Sequence, residues 1–248
     1  MAFDRRDHVL GLLGIERWRL RESGDPSASE APVEQASMPR KKNIETTSVP
    51  APEASVATVE LPKNWSGLRA MVKDCQQCKL CQTRTNTVFG VGPENAPLMV
   101  VGEGPGADED ARGEPFVGRA GKLLDQMLKA ISRSRADNTF IANVVKCRPP
   151  GNRDPEADEV SACRRYLDRQ IELLQPRLIV ALGRVAAQRL LASNEPLSKM
   201  RGPIHEYGET RTPVFVSYHP AYLLRSPREK AKSWQDLKKI AQFLESQA

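Results

Sequence analysis

Residues 98–106, Leu-Met-Val-Val-Gly-Glu-Gly-Pro-Gly, join four consecutive apolar residues to a turn in which every second residue is glycine. A run so short, apolar without alternation and stopped by Gly and Pro, reads as a strand buried on both faces. Three more runs share this character: TFIANVV at 139–145, LIVAL at 178–182 and VFVSY at 214–218. Helical periodicity fills the gaps at 120–132, at 156–174 behind Asp154-Pro155, at 184–192 and at 227–246. This alternation predicts an α/β fold with three layers, α/β/α, around a central four-stranded parallel sheet. Ligands of such sheets bind beyond the carboxyl ends of the strands. The segments that follow the four strands, GEGPG, KCRPPGNR, GRVAA and HPAYLLR, are therefore where chemistry is expected.

The chain has 248 residues, 40% of them hydrophobic and 27% charged, enough for a sizeable core and unlike a fibrous or mainly disordered protein. Its apolar runs fall far short of the roughly 18 residues that span a bilayer, and MAFDRRDHVL lacks the order of a secretory signal. A cytoplasmic location is expected. Residues 24–60 hold five prolines and no aromatic residue or cysteine, the composition of a disordered linker. Ahead of it, residues 1–23 place Val9, Leu10, Leu13 and Trp18 among arginines at helical spacing, as in an amphipathic helix that packs on the body or docks a partner. Residues 61–248 form the main domain, with 29 Lys and Arg against 21 Asp and Glu. Its net charge of +8 exceeds the +6 of the whole chain and points to a polyanionic partner.

Five cysteines, an odd count in a reducing compartment, argue for metal ligation or buried thiols over disulfides. Cys75 and Cys78 form one C-x2-C, Cys81 extends it to a second, and Cys147 and Cys163 are split by 15 residues. Structural zinc uses two close pairs, so this spacing favours a [4Fe-4S] cluster over zinc. Spacing leaves open which four of the five bind.

Several strand-end residues carry a functional reading beside a plainer one. The turn Gly102-Glu103-Gly104 exposes amides to a ligand, or is an ordinary strand-to-helix turn. Phe116, inside GEPFVG, is a stacking platform for a base or a core residue. Asn143 is unusual in an apolar strand. Its carboxamide both donates and accepts, so it can read the edge of a nucleobase, or it makes a structural hydrogen bond. His219 can donate to a developing anion. Lys146, Arg148, Arg153, Arg225, Arg228 and Lys230 form either a rim for phosphates or a solvated surface.

Together, C-x2-C, GEGPGADED, GEPFVGRAGKLLD, NVVKCRPPGNR, C-x15-C, ALGRVAAQRLL and HPAYLLR closely resemble the family 4 uracil-DNA glycosylases, over residues 65–244. The resemblance implies an enzyme that flips uracil out of single- or double-stranded DNA and hydrolyses its N-glycosidic bond, initiating base excision repair. It implies Cys75, Cys78, Cys147 and Cys163 as the cluster ligands, with Cys81 spare. It further implies that Gly102, Glu103 and Gly104 line the uracil pocket, that Phe116 stacks on the base, that Asn143 reads its Watson–Crick edge and that His219 contacts O2. Glu103 stands where the best-known branch has a Gln-Asp pair, which leaves Glu103 or Asn152 to orient the water. The related branch that traps uracil DNA covalently has a basic, His-containing insert where this chain has RPPGNRDP, so ordinary turnover is implied. RRDHVLGLLGIERWRLR resembles the start of the psi subunit of the bacterial clamp loader, which implies docking of residues 1–23 on the chi subunit. A monomer is expected. The alternative is a non-catalytic iron–sulfur DNA-binding module associated with replication.

Overall fold

The computed structural model describes residues 60–247. The N-terminal helix at 1–23 and all but the last residue of the linker at 24–60 lie outside the described residues.

Strands β1 (Leu98–Gly102), β2 (Thr139–Asn143) and β3 (Leu178–Leu182) are parallel, with β1 central between the other two. Every residue of these three strands is buried. Two more strands complete the sheet, β4 (His205–Tyr207) and β5 (Thr212–Ser217), in the order β2-β1-β3-β5-β4. The expected four parallel strands are all present. The expected count is corrected to five by β4, which runs antiparallel to β5 and pairs Tyr207 with Thr212. Three residues buried on one face only, joined to β5 by a turn with Gly208 and Arg211 at positive φ, make a weak sequence signal. Val144 and Val145 lie past β2, yet their N–H groups still donate to Gly102 O and Glu103 O.

Helices cover both faces. Alternate strand residues divide into two cores: Met99, Val101, Phe140 and Ile179 face one way, and Val100, Ile141 and Val180 the other. The first core is closed by α1 (Trp65–Lys73), α4 (Ala157–Leu174) and α5 (Arg184–Leu190). The second is closed by α3 (Arg119–Lys129) and α8 (Lys230–Ser246). Burying each large aliphatic side chain contributes roughly 1.5–3 kcal/mol, so both layers are needed to hold the sheet. Three short helices, α2 (Ala107–Arg112), α6 (Leu197–Met200) and α7 (Pro220–Arg225), complete the elements used below. The helix expected at 227–246 begins instead with a 3-10 turn at Pro227–Glu229. Among the described residues no helix is long and apolar enough to cross a membrane.

Candidate active site

The carboxyl ends of β1, β2 and β5 converge on a cleft of about 450 Å³. Glu103, Gly104, Phe116, Asn143, Asn152 and His219 all line it. These residues lie up to 116 positions apart in the chain, and a parallel sheet brings them to one edge because each crossover returns to the same end.

Gly102 is the exception among the residues expected to line the pocket. It packs behind the cleft, where an added Cβ would stand 2.5 Å from Asn143 Oδ1 and 2.6 Å from Phe116 Cζ. Its lack of a side chain lets the carboxamide and the ring approach each other.

Asn143 is 1% exposed, and among the described residues its Oδ1 has no hydrogen-bond partner. A buried acceptor left unpaired costs about 1–3 kcal/mol, a cost that a ligand donor would remove. The structural hydrogen bond considered for this amide is therefore absent at its oxygen.

Phe116 sits at φ 55°, a conformation that costs a non-glycine residue energy and must be held by its surroundings. Arg135 holds it. Its guanidinium donates to Pro115 O and Phe116 O, both at 2.9 Å, and to Asp125 Oδ1. Glu109 holds the other side of the loop: Oε1 accepts from the N–H groups of Val117 and Gly118, and Oε2 from Gly106 N–H. Gly121 makes room, since a Cβ there would overlap Phe116 O at 1.7 Å. The Phe116 and His219 rings lie 5.6 Å apart, tilted by 32°.

His219 caps α7, and its Nδ1 accepts from Ala221 N–H at 3.1 Å. Burial, reinforced by the Arg225 charge, lowers its pKa to about 4. The imidazole is neutral at physiological pH. Because Nδ1 is the acceptor, its proton resides on Nε2.

Glu103 meets a carboxyl that the sequence reading did not single out. Burial, the charge of Asp154 and a hydrogen bond that protonated Glu103 donates to the Asp154 carboxylate raise Glu103 to about 7. Asp154 is itself tethered by Arg184 Nη2 at 2.7 Å. Asn152 is exposed at φ 55°, and its Oδ1 accepts from Arg148 Nε at 2.7 Å.

A second pocket lies across the sheet. All five cysteines line it, with Arg84, Lys146 and Tyr166. Cys147 Sγ accepts from Arg84 Nη1 at 3.1 Å, and Cys163 Sγ from Lys146 N–H at 3.2 Å. Donors aimed at sulfur suit thiolate ligands. Burial, only partly offset by the charge and N–H of Lys146, pushes the Cys163 thiol up to about 12. Among the described residues no three His, Cys, Asp or Glu side chains gather closely enough to hold one metal ion. Lys146, read as a rim or surface residue, is instead fully buried. Its Nζ donates inward, to Asn143 O and Gln170 Oε1.

Asp154, Glu109 and Arg135 thus escaped the sequence reading. Glu109 had a signal, an acidic residue three positions after Gly106 in a capping pattern. Arg135 had none.

Residues 89–238 match the family model described as the uracil DNA glycosylase superfamily. A type-4 uracil-DNA glycosylase of Sulfurisphaera tokodaii is 46% identical over 71% of this chain and 83% of its own length. Those of Archaeoglobus fulgidus and Saccharolobus solfataricus are 45% and 43% identical, over 69% and 71% of this chain and 89% and 84% of theirs. The chain belongs to the type-4 family of the uracil-DNA glycosylase superfamily.

Proposed function

We propose that this chain excises uracil from DNA, releasing the free base and leaving an abasic site. The observation that carries the reading is the buried, unpartnered Asn143 Oδ1 in a cleft walled by Phe116 and His219. Uracil presents an N3–H donor beside its O4 acceptor, and one carboxamide satisfies both. Cytosine lacks the N3–H and carries an amino group at C4, so it would leave a buried group unpaired.

The base must first leave the helix, at a cost of a few kcal/mol that is smaller for a U·G mismatch. Phe116 supplies the stacking that the flipped base loses. As the N-glycosidic bond breaks, negative charge gathers on the uracil ring and positive charge at C1′. The neutral His219 donates from Nε2 to O2, where that negative charge is felt; a donor of this kind is worth roughly 10² to 10³ in rate. Glu103 takes the proton of the attacking water as its carboxylate, with Asn152 helping to orient that water.

Cys75, Cys78, Cys147 and Cys163 would hold a [4Fe-4S] cluster, with Cys81 spare. The gathering of these thiols around one pocket, with Arg84 and the Lys146 N–H donating to sulfur, supports the reading of a cluster. When bound, it supplies a cross-link between the segment after α1, the end of β2 and α4. Docking of residues 1–23 on the chi subunit and a monomeric state complete the reading; failure of residues 1–24 to pull down chi at micromolar concentration would sink the docking.

The test is release of free uracil from a U·G duplex by anaerobically purified full-length protein, beside Asn143→Ala and His219→Ala. Release that collapses in both variants is expected. A folded, iron-loaded wild type that binds the duplex and frees no base would overturn the reading in favour of a DNA-binding module.

A further inference from the structure

Lys146 is a fully buried side chain, and among the described residues no carboxylate is paired with its ammonium. Nζ donates to Asn143 O at 2.8 Å and to Gln170 Oε1 at 2.6 Å, both uncharged acceptors. Gln170, on α4 and 0% exposed, is itself fixed by donating to Phe89 O at 2.9 Å. The backbone of Lys146 is tied as firmly, its N–H to Cys163 Sγ and its carbonyl from Val88 N–H at 2.7 Å. The same side chain lines the cysteine pocket, and Cys163 and Cys147 are the ionisable groups that face it. A buried ammonium is costly unless an anion compensates it. Lys146 therefore touches both sites at once: the carbonyl of the base-reading residue and the wall of the sulfur pocket.

We infer that Lys146 is a positioning residue that tethers Asn143 to the cysteine pocket and provides the internal positive charge against which an anionic iron–sulfur cluster is held. The inference rests on the uracil-pocket and cluster readings above. It makes the segment 143–147 a rigid link, with the base reader at one end and a sulfur ligand at the other.

The test compares full-length wild type with Lys146→Met and Gln170→Glu, all purified anaerobically. Two quantities are read: the half-life of the visible cluster absorbance in the presence of a chelator, without DNA, and single-turnover uracil release by freshly loaded protein. Lys146→Met removes both charge and tether, and is expected to shorten the half-life and slow release, each by about tenfold or more, as loss of groups that orient metal ligands does. Gln170→Glu sets a carboxylate on the ammonium, keeping the Lys146–Asn143 contact while cancelling the charge, at the loss of the donor to Phe89 O. It is expected to shorten the half-life and leave release near the wild-type rate. An unchanged half-life in Gln170→Glu overturns the charge role, and that variant still decides it if Lys146→Met does not fold. A Lys146→Met protein that loses only thermal stability, with both readouts unmoved, overturns the inference as a whole. Absence of uracil release from the wild type would instead count against the proposed function, because the half-life is measured without DNA.

Discussion

The ring of His219 accepts a hydrogen bond at Nδ1 from the main-chain N–H of Ala221, two residues on. That one contact decides which nitrogen faces the cleft with a proton. With the pKa lowered to about 4 by burial and Arg225, no imidazolium forms near neutral pH.

A pH–rate profile follows. Between about pH 5 and 9, single-turnover uracil release is expected to rise through about 7, where Glu103 becomes a carboxylate, with no inflection from an imidazole near 6.5. Glu103→Gln removes the inflection. His219→Ala lowers the plateau roughly 10² to 10³-fold and leaves the inflection in place. A profile that loses its inflection in His219→Ala would reverse the two assignments.

Glu103 and His219 also act oppositely on stability. Glu103 is raised from 4.5 to about 7, so in that window the folded protein holds more protons and stability rises as pH falls. His219 is lowered from 6.5 to about 4; its contribution is fully present above 6.5 and is lost as pH falls toward 4. The two offset each other in the wild type. Thermal melts are expected to show Glu103→Gln losing stability faster than wild type on acidification from 7 to 4.5, and His219→Asn losing it more slowly.

Gly102→Ala and Asn143→Ala separate crowding from recognition. An alanine Cβ at 102 would meet Asn143 Oδ1 at 2.5 Å and Phe116 Cζ at 2.6 Å, so both groups must move. Overpacking of this kind costs about 1–3 kcal/mol, and a misplacement near 1 Å costs about 10² in rate. Asn143→Ala removes an acceptor that has no partner, so release is lost while the melting temperature changes little. Denaturant melts beside release assays check both. A large destabilisation by Asn143→Ala would mean that the amide is structural.

From its sequence alone the chain declares its alternating α/β order, because buried parallel strands are apolar on both faces and leave an unbroken signature at 98–101 and 178–182. The strand-end residues were legible for the same reason. Asn143 stands out as a polar residue in an apolar run, and Phe116 as a ring among glycines. What the sequence could not contain is which distant groups meet. The raised pKa of Glu103 comes from its burial and from Asp154, 51 positions later, held by Arg184. The strained backbone of Phe116 depends on Arg135, which reads as an ordinary surface cation until α3 and the following loop fold it against the carbonyls of 115 and 116. Lys146 reads as surface and is core, because burial is set by the path of the backbone and not by residue type. Local pattern specifies elements through propensity and periodicity; pKa shifts, clamps and buried charges arise from contacts across long separations, which only the tertiary structure brings within reach.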